Sequence, residues 1–84
     1  MSYEVLLAPS AQRDFKKLPP DTRDRIRAAM TVLAKGPRRG AQKLAGEDSY
    51  RVRVGDYRIV YRVDDSAREV LVARIKHRRE AYRR

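Results

Sequence analysis

The chain contains no cysteine and one histidine among its 84 residues. Without cysteine there is no disulfide framework, no thiolate zinc site and no thiol nucleophile, so packing alone has to hold the fold. The lone His77 has no His or Cys companion at ligand spacing, and the Asp64-Asp65 pair by itself does not amount to the carboxylate cluster of a hard-cation site. Metal chemistry is therefore not expected. Long apolar runs are also missing: none approaches the roughly 20 residues that span a bilayer, which excludes a membrane helix. The opening Met1-Ser2-Tyr3-Glu4-Val5-Leu6-Leu7 lacks the basic start and extended apolar stretch of a secretory signal, and a cytoplasmic protein is expected. No repeat, low-complexity tract or linker interrupts the chain.

Acidic residues are scarce as well. Eleven Asp and Glu face twenty-one Lys and Arg, a formal net charge of +10. That excess goes beyond what solubility needs and is typical of chains that neutralise phosphates, so nucleic acid is the leading ligand class. The length fits one domain spanning residues 1–84, with a modest core, because a chain this short buries only about 60% of its unfolded surface.

Hydrophobic periodicity divides the chain in two. Tyr3 to Leu7 reads as a first strand ending before Pro9, which suits the first turn of a helix. Over Ser10 to Leu18 the apolar Ala11, Phe15 and Leu18 recur at i, i+4 and i+7, the spacing of one helical face, and Pro19-Pro20 ends the helix. Asp21 is then expected as the N-cap of a second helix that carries Ile26, Met30 and Leu33 on one face and closes at Gly36-Pro37. Arg38 to Ser49 is read as a connecting loop. From Tyr50 the period becomes two: Tyr50, Val52 and Val54 alternate with Arg51 and Arg53, Gly55-Asp56 turns the chain, and Tyr57, Ile59, Tyr61 and Val63 alternate with Arg58, Val60 and Arg62. A two-residue loop pairs Val54 with Tyr57 and Arg53 with Arg58, which sends Arg51, Arg53, Arg58 and Arg62 to one face and leaves Tyr50, Tyr57 and Tyr61 for the core. After a turn at Asp64-Asp65-Ser66, Glu69 to Ile75 forms a last strand, apolar on both faces and so central, whose register the sequence leaves open. The basic tail Lys76-His77-Arg78-Arg79-Glu80-Ala81-Tyr82-Arg83-Arg84 follows, with room for a final helical turn. The expected architecture is α+β, in the order β-α-α-β-β-β, with two antiparallel helices on a small, mainly antiparallel sheet.

Like charges side by side on a sheet cost a few tenths to about 1 kcal/mol per pair, so the arginine face calls for an explanation. A solvated face, each guanidinium lying over a neighbour's aliphatic stem or beside an acidic loop residue, is one. A phosphate clamp is the other, since several guanidinium groups can grip phosphate oxygens in bidentate fashion. RNA cleavage in its simplest form needs no metal and no cofactor. The 2′-hydroxyl attacks its own adjacent phosphate, while the protein helps remove the 2′-proton, stabilises the crowded phosphate and protonates the leaving 5′-oxygen. Arginines suit the second task and an imidazole such as His77 suits either proton transfer, although a surface imidazole near a chain end is also a plain structural residue. Tyr82 can stack on a base or simply pack the tail.

Lys43-Leu44-Ala45-Gly46, Tyr50-Arg51-Val52-Arg53-Val54-Gly55-Asp56-Tyr57-Arg58-Ile59-Val60-Tyr61, Asp64-Asp65 and His77-Arg78-Arg79-Glu80-Ala81-Tyr82 together resemble the RelE/ParE toxin superfamily over nearly the whole chain. The resemblance to RelE implies a toxin that enters the ribosomal A site and cuts messenger RNA by 2′-hydroxyl attack. It implies catalytic roles for Arg51, Arg53 and Arg58 as charge stabilisers, for His77 or Arg78 in proton transfer, and for Tyr82 as the base-stacking residue. RNA contacts would extend to Lys43, Arg62, Arg79 and Arg83. The partners it implies are the ribosome, messenger RNA and a cognate acidic antitoxin that covers the basic face, with no membrane. A ParE-like toxin, which shares the fold but poisons DNA gyrase by binding, is the alternative, and a silent relative that only binds is a third.

Overall fold

Prolines set the helix starts. In the computed structural model, which describes residues 2–44 and 49–81, strand β1 (Glu4–Leu7) runs into helix α1 (Pro9–Lys16), whose first position is Pro9. Helix α2 (Pro20–Lys35) likewise has Pro20 at its first position and the extended Pro19 as N-cap. Asp21, expected as that cap, instead lies inside the first turn. The fixed φ of Pro20 is preorganised for the first helical residue, whose N–H needs no partner, so the helix begins earlier, and the Asp21 carboxylate still sits at the positive end of the dipole. Gly36 closes α2, donating its N–H to the Val32 carbonyl.

The remaining regular elements of the described chain are four strands and one short helix: β2 (Gln42–Lys43), β3 (Ser49–Val54), β4 (Tyr57–Asp64), β5 (Glu69–His77) and α3 (Arg78–Ala81). The strands lie in the order β1-β5-β4-β3-β2, with β1 parallel to β5 and every other pairing antiparallel. Two helices thus pack on a five-stranded, mostly antiparallel sheet. The segment expected as a plain loop contributes β2, which adds to the outer edge of β3 through Gln42↔Arg51 and Lys43↔Tyr50. Two residues without apolar alternation carry no strand signal of their own; the exposed edge of β3 makes them one.

The core follows the tyrosine and valine phase of the hairpin. Tyr50, Ile59, Tyr61, Val63, Val70, Val72 and Ile75 are buried against Ala11, Leu18, Ile26 and Leu33. The Tyr61 hydroxyl donates to the Pro37 carbonyl at the end of α2. Burial comes first in raising its pKa, which is pushed up to about 12. Around the rim, Arg38 ties three segments together. It bonds Asp65 through two nitrogens at 3.1 and 3.0 Å and the Tyr50 hydroxyl at 2.7 Å, while the Tyr3 hydroxyl donates to Asp65 at 2.6 Å. These bonds from Arg38 and Tyr3 hold the Asp65 carboxyl below the usual carboxylate range.

β5 is central, as its two apolar faces suggest, and it is irregular. Val63 pairs with Val70 and Tyr61 with Val72, but Val60 pairs with Arg74 and Ile59 with Ile75, so the register shifts between Val60 and Tyr61. The extra residue, Ala73, is a β-bulge, and the face assignment of everything after it is inverted. Beyond the end of β1, α1 completes the strand's outer side: Asp14 accepts the Ile75 N–H at 2.9 Å and binds Arg74.

Candidate nucleic-acid interface

The hairpin places four arginines on one face by local sequence alone. Gly55 has φ +60°, the value that the first central position of a tight two-residue turn of the II′ kind demands. This turn fixes Val54↔Tyr57 and Arg53↔Arg58, and the pleat then carries Arg51 and Arg62 to the same side. Among the described residues, neither α1 nor α2 covers that side. The face is graded in charge. At the turn end lie Arg53 and Arg58, then Arg51 and Val60; farther along comes Arg62 beside Leu71 and Leu6; the far end is acidic, with Asp64, Glu69 and Glu4 in register. A polyanion would be drawn to the turn end.

Each arginine is held differently. Arg53 donates Nε to the Gly55 carbonyl at 3.1 Å, which folds its stem along the turn. Arg51 donates Nε and a terminal nitrogen to the Gln42 side-chain oxygen at 3.2 and 3.1 Å, so β2 orients it. Arg58 is half-buried and Arg62 exposed. Arg78 is anchored at the hairpin tip: its N–H donates to the Asp56 carbonyl at 2.6 Å, and its guanidinium stands 3.9 Å from the Asp56 carboxylate. Helix α3 therefore begins against the turn that carries Arg53 and Arg58.

Other candidates from the sequence are not brought to this face. Lys43 shares the phase of Tyr50, and Gln42 occupies the position beside Arg51. His77 pairs with Tyr57, so it lies on the helix side of the sheet. Its ring stands edge-on to Tyr57, centroids 5.1 Å apart, and its Nδ1 accepts the Arg79 N–H at 3.2 Å, as an N-cap does. There it lines a cleft of about 640 Å³ with Lys17, Leu18, Tyr57 and Arg79. Arg79 is exposed at the start of α3. Tyr82 and Arg83 lie outside the described residues.

Two residues of the arginine face escaped the sequence reading: Arg74, in register with Val60 and tied to Asp14, and Lys76. Lys76 pairs with Arg58 and is half-buried, which completes a row of three cations, Arg53, Arg58 and Lys76, across β3, β4 and β5. The sequence assigns Lys76 to the tail because the apolar alternation stops at Ile75. Simple alternation from Val70 and Val72 would moreover have turned Lys76 inward and His77 outward, and only the bulge reverses them.

Known proteins share this sequence pattern and fold over nearly the whole chain. Residues 5–82 match the family described as the ParE toxin of type II toxin–antitoxin system, parDE. The chain is 38% identical to the toxin RelG of Mycobacterium tuberculosis, with 100% of both chains covered, and 32% identical to the toxin RelE of the same organism, covering 96% of this chain and 87% of that one. Among solved structures, a chain of the RelBE2 toxin–antitoxin complex from Mycobacterium tuberculosis superposes with a TM-score of 0.84 at 32% identity, over 92% of this chain and 99% of the other. A chain of the intact E. coli RelBE toxin–antitoxin complex gives 0.81 at 27% identity, over 89% and 95%.

Proposed function

The chain belongs to the ParE toxin family of type II toxin–antitoxin systems, with RelE-type toxins among its relatives, and on that premise we propose that it is a ribosome-dependent endoribonuclease. It cuts messenger RNA in the A site by attack of a 2′-hydroxyl on the adjacent phosphate, without a metal, and thereby stops translation in the cytoplasm. The observation that carries this reading is the sheet face, opposite α1 and α2, on which Arg51, Arg53, Arg58 and Arg62 stand together. Guanidinium groups are permanently protonated, match phosphate oxygens in bidentate geometry and stabilise the charge that builds on a pentavalent phosphate. Arg58, at the centre of the row, clamps the scissile phosphate. Arg51, Arg53 and Arg62 hold the flanking backbone, Arg78 and Arg79 meet the RNA from the start of α3, and Tyr82 and Arg83 are further RNA contacts of the tail.

A cognate antitoxin follows from the family and from the chemistry of the face. Solved relatives include toxin–antitoxin complexes, and an acidic segment laid over the arginines would offset their mutual repulsion and block access to RNA.

Arg58→Ala tests the reading. Single-turnover cleavage of messenger on programmed ribosomes should slow a hundredfold or more, the scale of one lost oxyanion donor. A loss below about threefold would remove Arg58 from the catalytic group. The parDE description of the matched family favours a second reading, in which the same face binds DNA gyrase without cutting RNA.

A further inference from the structure

The bulge in β5 exchanges the faces of two neighbouring residues that can each carry a transferable proton, Lys76 and His77, and it does so beside Arg58. We propose that Lys76 is the general acid of the cleavage, donating its proton to the 5′-oxygen as that oxygen leaves phosphorus; the proposal rests on the endoribonuclease reading above.

Three features of the structure point the same way. First, Val60↔Arg74 and Arg58↔Lys76 set Lys76 directly across from Arg58, while Tyr57↔His77 turns the imidazole to the helix side. Adjacent strands are about 4.8 Å apart, so Arg53, Arg58 and Lys76 form a row roughly 10 Å wide at the backbone, narrow enough for three long side chains to converge on one phosphodiester. A phosphate gripped by Arg58 thus has one flank toward Arg53 and the other toward Lys76. Second, a guanidinium does not release its proton under working conditions, so neither Arg53 nor Arg58 can serve as a donor, whereas a lysine ammonium can. Lys76 is the member of this row that can give up a proton. Third, the backbone around Lys76 is fixed on both sides. The preceding Ile75 N–H is held by Asp14 at 2.9 Å, and Arg78, two residues on, donates its N–H to Asp56 at 2.6 Å. A bulge that re-aims a side chain at a site and is then locked in place is a recurrent use of the irregularity.

The 2′-oxygen forms its bond to phosphorus and its proton passes to solvent water. The bond between phosphorus and the 5′-oxygen breaks with its electron pair on oxygen, and the Lys76 Nζ proton moves to that oxygen. The products are a 2′,3′-cyclic phosphate and a 5′-hydroxyl, and the neutral amine regains a proton from water.

The test uses a messenger whose bridging 5′-oxygen at the A-site cleavage position is replaced by sulfur, because a thiolate leaves without protonation. Single-turnover rates on programmed ribosomes are compared for the wild-type chain, Lys76→Arg, Lys76→Ala and Arg58→Ala, with circular dichroism confirming that each is folded. On the oxygen substrate, both Lys76 variants are expected to be slower by a hundredfold or more, within the range of lost general acid catalysis. On the sulfur substrate they should return to within about threefold of wild type, while Arg58→Ala stays slow. Lys76→Arg keeps the charge and the length, so it supplies the answer if alanine disturbs folding. A Lys76→Arg rate within threefold of wild type on the oxygen substrate, or a deficit that persists on the sulfur substrate, overturns the assignment. A wild-type chain that cuts neither substrate overturns the endoribonuclease reading itself, and the assignment falls with it.

Discussion

Asp14→Ala should destabilise the fold by about 2 kcal/mol, although the residue lies on a helix near the surface. β1 stops pairing at Leu7↔Val72, so the outer side of β5 beyond that point has no strand to bond. The Asp14 carboxylate, 15% exposed, replaces it. One oxygen accepts the Ile75 N–H at 2.9 Å and Arg74 Nε at 2.8 Å, and the other accepts a terminal nitrogen of Arg74 at 3.2 Å. Partial burial pushes the carboxyl pKa up, but the bonds from Arg74 and Ile75, with the charges of Arg74 and Lys17, outweigh it and hold the group below the usual carboxylate range. Alanine leaves the N–H of the buried Ile75 without its acceptor, which costs about 1–2 kcal/mol. The ion pair adds at most about 1 kcal/mol, because the Arg74 side chain is 42% exposed and screened by water. For a domain of this size each kcal/mol lowers Tm by about 4–8 °C, so the melting temperature at pH 7 should fall by roughly 8–16 °C. Asp14→Asn keeps an oxygen for Ile75 and should lose about half as much. Thermal melts and urea titrations followed by circular dichroism measure both. An alanine variant melting within about 3 °C of wild type would refute the edge-capping account, and so would an asparagine variant as damaged as the alanine one.

Acid should act through the same groups. Asp14 and Asp65 both have depressed folded-state pKa values, so their contribution is complete above the unfolded value near 3.9 and is lost as pH falls through the folded one. Urea midpoints should therefore hold down to about pH 5 and drop below about pH 4, with a shallower drop in Asp65→Asn. At the alkaline end, Tyr61 ionises near 10 when unfolded and about 12 when folded, so stability should decline as pH rises across that interval, and Tyr61→Phe should flatten the decline. The same substitution removes the donor to the Pro37 carbonyl and should cost about 1 kcal/mol at pH 7, read from urea midpoints. Gly55→Ala should cost about 1 kcal/mol through its φ of +60°, not through a clash, because a Cβ there would meet only the Arg25 guanidinium at an ordinary 3.5 Å.

The hairpin was legible because its information is local. Alternation of period two and a glycine at the turn determine which residue faces which, and Arg53↔Arg58 and the burial of Tyr50 and Tyr61 follow without reference to the rest of the chain, while Tyr57, on the same face, stays half-buried at the cleft. What the sequence withholds depends on distant partners. β2 exists because β3 offers an edge, and the extension of β5 to His77 depends on Asp14, 61 residues before Ile75, and on Asp56 in the hairpin turn. The bulge at Ala73 is the costliest omission. The run Val70-Leu71-Val72-Ala73-Arg74-Ile75 gives no sign of where alternation slips, yet the slip decides that Lys76 and not His77 joins the arginines. The family resemblance pointed to His77-Arg78 as the place for proton transfer, one residue away from where the register sets the side chain that shares Arg58's row.

The most direct test of the central claim adds the purified protein to programmed ribosomes and, in parallel, to a gyrase supercoiling reaction, with messenger ends mapped by primer extension. A cut within the A-site codon with undiminished supercoiling is the expected result. Inhibited gyrase with intact messenger would contradict it and make the arginine face a protein-binding surface.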